Sequence, residues 1–329
     1  MRIKGIALFS ATVIGLTTTI GSIAQAQTNK WPEKPVTWVI PFTPGGITDT
    51  TSRLIGKKIT EVIGQPIIID NRPGGGGMVG TEYVSRAAPD GYTMIYGTQG
   101  TMAANLSLYP NVKYDPLTTF IPVHALLKTP NVLLVNAELP FKTVSELVEY
   151  AKTNPGKLNM ASAGTGTGSH LAGELFQNEA GIKFTHVPFK GSAPALQNLA
   201  GAQVDIMFDY PVSSRPLIES GKVRALAVTD EQRVKTLPDV PTVVEAGYPT
   251  ALSTSWSSIF VPAGTSDEIV ETIRKGAEHA LASDEVKEYA AQNGSAVLTG
   301  VSGQKFVDLI NSEKKRWKDV IEKSGASAN

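Results

Sequence analysis

Hydrophobic positions recur with two alternating periods along this 329-residue chain. From residue 31 to about residue 229, short β-rich runs alternate with stretches whose apolar residues repeat at helical spacing. That is the pattern of a largely parallel α/β sheet. Residues 36–41 read as the first strand. Residues 50–63 read as the first helix, with Leu54, Ile55, Ile59, Val62 and Ile63 on one face and Gly64 as its stop. A strand at 66–70, a helix at 79–87, a turn at Pro89-Asp90-Gly91 and a strand at 92–96 complete a first series.

A second series opens near Asn131 with an extended run at 132–135. Thr143 and Glu146 have the spacing of a capping box that opens a helix. A strand at 158–162, a helix at 169–179 stopped by Gly181, and a strand at 184–187 follow. A helix at 192–199, a strand at 204–208, a short helix at 216–220 and a strand at 223–228 close the series. A third group starts with an extended run at 256–261 and continues with helices from Thr265 and from Asp284. After a strand near 296–298, a last helix from Ser302 carries Phe306, Leu309, Ile310, Trp317, Val320 and Ile321. Two α/β sets with a helical end predict two lobes. Residues 27–130 begin the first, 131–250 form the second, and 251–329 return to the first, with crossings near 125–135 and 250–261.

The first 26 residues follow another rule. Arg2 and Lys4 precede an apolar or small stretch, and Ala24-Gln25-Ala26 has the form of a signal-peptidase site. Thr17-Thr18-Thr19 and Gly21-Ser22 dilute the run below what a spanning helix requires. A cleaved signal peptide over 1–26 and a soluble, exported protein are therefore expected.

Composition then removes several functions. With 30 Lys+Arg against 30 Asp+Glu, the formal charge is zero, and a nucleic-acid partner finds no electrostatic footprint. No cysteine is present, so there is no disulfide framework, thiolate metal site or cysteine nucleophile. His124, His170, His186 and His279 lie far apart without a metal-binding spacing. Neither a metal nor a cofactor is expected.

Two glycine-rich turns carry the remaining chemistry, each between a strand and a helix. The first is Thr43-Pro44-Gly45-Gly46-Ile47-Thr48-Asp49; the second is Gly164-Thr165-Gly166-Thr167-Gly168-Ser169. Glycine lets the backbone approach a ligand, and a helix start offers unpaired N–H groups and a favourable dipole for negative charge. Thr43, Thr48, Thr165, Thr167 and Ser169 add hydroxyl groups. Such turns can also be structural, with Asp49 and Ser169 as helix caps. One turn from each lobe, at the C-terminal ends of strands where open α/β sheets bind ligands, favours a site for a carboxylate or phosphate held without a fixed cation.

Competing readings are weaker. Gly75-Gly76-Gly77-Met78-Val79-Gly80 matches a dinucleotide fingerprint, but no acid ends the next strand, where Thr98-Gln99-Gly100 stands. No G-x-S-x-G elbow occurs, and Ser169 and His170 are adjacent, so on a helix they diverge. His170 is read as a residue at the helix start facing the cleft or its rim. Phe42, Tyr210 and Trp256 are aromatic candidates for the cleft, and Arg53 is spaced to pair with Asp49. An enzyme is not expected. A secreted hydrolase using the same cleft and an exported sensor for a signalling partner are the alternatives.

Several segments resemble a known family. They are Trp31-Pro32-Glu33-Lys34-Pro35, Pro41-Phe42-Thr43-Pro44-Gly45-Gly46 with Asp49 and Arg53, Asn71-Arg72-Pro73-Gly74, and Ala88-Pro89-Asp90-Gly91-Tyr92-Thr93. Gly168-Ser169-His170, Val187-Pro188-Phe189-Lys190-Gly191, Gly201-Ala202-Gln203-Val204-Asp205 and Leu237-Pro238-Asp239-Val240-Pro241-Thr242 continue the match. Together they resemble the Bug family, the periplasmic solute receptors of tripartite tricarboxylate transporters, over essentially the whole mature chain. The resemblance implies a type II periplasmic-binding-protein fold whose two α/β lobes close on a small organic carboxylate, a di- or tricarboxylate or an aromatic carboxylate, and deliver it to membrane permease subunits. It implies that one ligand carboxylate lies between the two glycine turns, partly through ordered water, with Asp49 as a helix cap and water-orienting group. The second turn departs from the family's frequent Ser-x-Gly form: Ser162-Ala163-Gly164 is followed by two further threonines among glycines. The far end of the ligand is expected around Thr98, Gln99 and Thr101 in one lobe and Phe208, Asp209, Tyr210 and Val212 in the other.

Overall fold

The computed structural model of the chain describes Met1 and residues 31–327. The expected signal peptide, Met1 aside, lies outside the described residues. All elements below belong to the unit that begins at Pro32.

β1 (Val36–Ile40) leads through the first glycine turn into α1 (Ile47–Ile63). β2 (Ile67–Asn71), a 3-10 turn over Gly75–Gly77, α2 (Met78–Val84) and β3 (Thr93–Thr98) follow. A π-helical turn over Gly100–Ala104 runs on as α3 (Asn105–Leu108), and β4 (Phe120–Pro130) ends this part. β5 (Val132–Asn136), α4 (Val144–Thr153), β6 (Asn159–Ser162), α5 (Gly168–Ala180) and β7 (Thr185–Pro188) begin the other lobe. α6 (Ser192–Ala200), β8 (Ile206–Asp209), α7 (Pro211–Glu219) and β9 (Val223–Val228) complete it. The chain then returns through β10 (Thr254–Pro262), α8 (Asp267–Ala282), α9 (Asp284–Gln292), β11 (Ala296–Val297) and α10 (Gly303–Ser324).

These strands form two sheets, ordered β11-β4-β10-β3-β1-β2 and β7-β6-β8-β5-β9. Both are mixed, where the alternating pattern predicts largely parallel ones. β1 runs parallel to β2 and β3, and β6 parallel to β7 and β8. The crossing strands run the other way: β10 is antiparallel to β3 and β4, and β5 to β8 and β9. Strands that carry the chain between lobes enter each sheet from the opposite end, which fixes their direction.

The crossings are tied together. Asn131 separates β4 from β5, and its N–H donates to Thr229 Oγ1 at 2.8 Å. Thr229 Oγ1 donates to the Ser253 carbonyl at 2.6 Å, and the Ser253 N–H returns to the Thr229 carbonyl at 3.0 Å. Fully buried, this ladder gives the two connections one common pivot.

Local rules account for several helix ends. Thr143 caps α4 and Glu146 reaches back in a complete capping box, while Gly64 and Gly181 take the left-handed conformation that ends α1 and α5. The helix expected at 216–220 instead starts at Pro211, which suits a first helical position, and Pro216 lies inside it.

α5 holds the lobes together. Residues Gly168 to Gln177 are all buried. Leu171 and Leu175 pack in the first lobe's core with Phe306, Trp317 and Val320, whereas Ala172, Phe176 and Ala180 pack in the second lobe's core with Leu133, Met160 and Phe208. The helix's buried polar residues are satisfied internally, Ser169 by the Phe208 carbonyl and Gln177 by Glu174 and the Phe184 N–H.

Candidate ligand-binding site

The first turn lies open. Thr43, Pro44, Gly45 and Gly46 are exposed, and Phe42 and Thr48 are half-buried. Gly45 has φ of 81°, a conformation glycine adopts without strain. Helix α1 begins at Ile47 with Gly46 as its cap and no capping side chain. The backbone N–H groups of Ile47, Thr48 and Asp49 consequently have no acceptor among the described residues.

Asp49 is the third residue of α1, not its cap. Its Oδ2 reaches back to accept the Gly45 N–H at 2.9 Å, and Arg53 donates to both carboxylate oxygens at 3.1 and 2.9 Å. Burial opposes its ionisation, but the bonds from Arg53, Gly45 and Asn71 outweigh burial and hold the carboxyl below its ordinary range. The spacing to Arg53 thus makes the pair the sequence suggests, and Asp49 fixes the shape of the turn from within. Asp49→Ala should lower stability by about 1–2 kcal/mol, since Arg53 stays largely hydrated without its partner. Urea unfolding at neutral pH measures this, and the difference should shrink below pH 4 as the wild-type carboxyl protonates.

The second turn is half-sealed. Gly164 and Gly166 have φ of 126° and 82°. The Thr167 N–H and hydroxyl both donate to the Gly164 carbonyl, at 3.2 and 2.6 Å. The Ala163 N–H donates to Ser169 Oγ at 3.4 Å, the Gly164 N–H to Ser162 Oγ at 3.2 Å, and the Gly166 N–H to His170 Nδ1 at 3.3 Å. Ser169 donates its hydroxyl to the Phe208 carbonyl. Left without an acceptor among the described residues are the N–H groups of Thr165 in the turn and of Gly168, Ser169 and His170 at the start of α5. Thr167, not Ser169, caps that helix.

One wall joins the two turns. A Cβ on Gly77 would lie 2.6 Å from Thr101 Cγ2 and 3.3 Å from Phe42 Cζ, beside the first turn. A Cβ on Gly76 would lie 2.8 Å from the Thr165 carbonyl oxygen, beside the second. Asn105 Nδ2 donates to the Gly76 carbonyl at 3.1 Å, and the Tyr109 hydroxyl donates to the Thr165 carbonyl at 3.2 Å. The glycine run that resembles a dinucleotide fingerprint is therefore the surface against which both turns stand.

Residues expected at the far end divide into two groups. Thr98 and Thr101 pair with each other, their hydroxyls 3.3 Å apart, beside Gly77. Gln99, Phe208 and Asp209 are held by interior partners. Gln99 Nε2 donates to Glu313 Oε2 at 2.8 Å and to the Thr254 carbonyl at 3.2 Å. Phe208 lies in the core. Asp209 accepts from Ser192 at 2.8 Å and Ser213 at 2.6 Å, at the starts of α6 and α7, and burial pushes its carboxyl up to about 6. Tyr210 donates to Ser255 Oγ at 3.1 Å, and both hydroxyls crowd Gly168 at the start of α5.

His170 is buried and its ring stacks on His186, centroids 4.1 Å apart. Burial, with the neighbouring His186, pushes His170 down to about 3; burial alone pushes His186 down to about 4. His124, buried in the first lobe, shifts in the same direction for the same reason. Because native imidazoles stay neutral while unfolded ones bind protons below pH 6.5, stability is full above that pH and falls as pH drops towards 4. At pH 5.5 the loss should be about 1–1.5 kcal/mol from each of His170 and His186. Thermal melts between pH 7.5 and 5 measure it, and a melting temperature independent of pH would contradict it.

Asn105, Tyr109, His186 and Glu313 escape a reading of the sequence, because each acts on a partner far along the chain. Only the glycine run at 74–77 carries a local signal. Among the described residues no group of acidic, histidine or cysteine side chains could hold a metal, and no helix is long and apolar enough to cross a membrane.

Comparison with known proteins identifies the family and the fold. Residues 51–326 match the model of the tripartite tricarboxylate transporter family receptor. The chain is 33% identical to protein BugT of Bordetella pertussis over 317 residues, 95% of this chain and 97% of BugT. The structure of Rhodopseudomonas palustris Rpa4515 with adipate superimposes with a TM-score of 0.83 at 39% identity, covering 90% of this chain and 98% of that one. MatC of the same organism, with bound malate, gives 0.82 at 37%, covering 88% and 100%.

Proposed function

Because the chain belongs to the tripartite tricarboxylate transporter receptor family, we propose that it captures a small organic dicarboxylate or tricarboxylate in the periplasm and delivers it to membrane permease subunits. The observation that carries this reading is the row of acceptor-free N–H groups at Ile47, Thr48 and Asp49, on an open turn whose nearest cation, Arg53, is already paired. A helix start of this kind suits a carboxylate oxygen. The N–H group of half-buried Thr165 supplies the matching donor from the other lobe. The two superimposed structures carry adipate and malate, both dicarboxylates, which supports a ligand of that class.

Capture then works by lobe closure. Ligand donors come from both lobes, so the ligand binds the closed arrangement better and shifts the population towards it. The Asn131–Thr229–Ser253 ladder is the natural pivot, and the Tyr109–Thr165 and Gly100–Gly166 contacts are the surfaces that meet.

A thermal-shift panel of adipate, malate, succinate, citrate and phthalate tests the reading. A ligand that binds only the native state stabilises it by RT ln(1 + [L]/Kd), about 2.7 kcal/mol at a hundredfold excess over Kd. At least one of the five should raise the melting temperature by several degrees. Because neutral donors do the binding, that affinity should change less than about threefold between 50 and 300 mM salt. No shift with any of the five would refute the proposed ligand class.

A further inference from the structure

Beneath the second turn lie two imidazoles from different elements. His170 is the third residue of α5; His186 sits on β7, opposite Met160 of β6 in the parallel pairing. Their rings stack at an interplanar angle of 26°. His170 Nδ1 faces the Gly166 N–H at 3.3 Å, so this nitrogen carries no proton. His186 Nε2 lies 2.6 Å from Ser162 Oγ, which itself accepts the Gly164 N–H at 3.2 Å. Ser162 keeps its hydroxyl proton to donate, and with the His186 proton on Nδ1, Nε2 accepts that hydrogen bond.

The amides of Gly164 and Gly166 flank that of Thr165, the only N–H between residues 163 and 167 without an acceptor among the described residues. We propose that His170 and His186 are positioning residues for the second turn. As neutral rings they pin the amides on either side of Thr165, His170 directly and His186 through Ser162, and so leave the Thr165 N–H as the turn's donor to the ligand carboxylate. The ligand part of this proposal rests on the function proposed above; the pinning does not.

The surroundings keep both rings neutral. Glu174 Oε1 lies 3.5 Å from His170 Nε2. Burial raises the Glu174 carboxyl against the opposing effects of Ser324, Gln177 and Lys183, which lessens its pull on a proton at His170. For His186 only burial acts.

Nitrogen-15 spectra of the histidine side chains in the ligand-free protein at pH 7 test the pinning directly. His170 should carry its proton on Nε2 and His186 on Nδ1, and neither should titrate between pH 8 and 5.5. Amide exchange should be slow at Gly164 and Gly166 and fast at Thr165. His170→Phe and His186→Phe keep a ring but lose the acceptor. Each should speed exchange at its own glycine at least tenfold and weaken binding of adipate or malate, whichever shifts the wild-type melt, about tenfold. His170→Asn and His186→Gln place an amide oxygen near the lost nitrogen and should recover most of both effects. A proton on His170 Nδ1 or His186 Nε2, or phenylalanine variants with unchanged exchange, would overturn the proposal. Should the phenylalanine variants fail to fold, the wild-type tautomers decide alone. Should adipate and malate both fail to bind, the carboxylate reading falls while tautomers and exchange still decide the pinning.

Discussion

Gly100→Ala should weaken carboxylate capture by about tenfold to a hundredfold while leaving the ligand-free melting temperature within a few degrees of wild type. The added Cβ would overlap the Gly166 carbonyl oxygen across the lobe boundary, whereas its nearest neighbour within its own lobe, Thr98 Oγ1, stays 3.6 Å away. Gly100 has an ordinary negative φ, so alanine meets no backbone strain there. A carbonyl cannot swing aside as a flexible side chain can. The methyl group therefore penalises one arrangement only, the second turn seated against the first lobe. If closure becomes about 1.4–2.8 kcal/mol harder, apparent affinity falls by the stated range, because the competent fraction divides the intrinsic Kd. Calorimetric titration of Gly100→Ala against wild type checks this. Unchanged affinity would show that binding does not need that contact. Gly166 is a less clean target: its φ of 82° adds strain, and its Cβ would overlap Asn105 Oδ1.

The largest effect on stability is expected at Glu313. This carboxylate on α10 is only 9% exposed. Its Oε2 accepts from Gln99 Nε2 at 2.8 Å, Trp317 Nε1 at 3.0 Å and Trp256 Nε1 at 3.3 Å. It thus joins the helix to the crossing strand β10 and to the end of β3. Glu313→Ala would leave three buried N–H groups without an acceptor. Each such group costs about 1–3 kcal/mol, so a total of about 3–6 kcal/mol is expected after partial relaxation. For a chain of this size that is a fall of roughly 10 °C in melting temperature. Glu313→Gln keeps an acceptor oxygen and should lose less than half as much. A fall below about 2 °C for the alanine variant would show that the tryptophans find other partners.

What the sequence discloses follows the range of the interaction. Helix α1 could be read because its stripe is local: Ile55, Ile59 and Ile63 are buried as the spacing demands, and only Val62 at the margin is exposed. The α4 capping box and the glycine turns depend on neighbours three or four residues away, and they too were legible. β4 was not. Pro122, His124, Lys128 and Pro130 interrupt its apolar run, and its partner β10 lies more than a hundred residues on. The same limit applies at the site. Gln99 reads as a cleft residue until Glu313, 214 positions later, is seen to hold its amide. Asp209 reads as a group for the ligand until the hydroxyls of Ser192 and Ser213 close over it. His186 gives no hint in its own segment that it touches Ser162.

Acceptor-free N–H groups on both turns, at the start of α1 in one lobe and at Thr165 in the other, underlie the whole functional reading. A crystal structure grown with adipate or malate tests it most directly. One carboxylate should lie within hydrogen-bonding distance, directly or through one water, of the Ile47 or Thr48 N–H on one side and the Thr165 N–H on the other. A carboxylate gripped instead by lysine or arginine side chains, away from both turns, would contradict it.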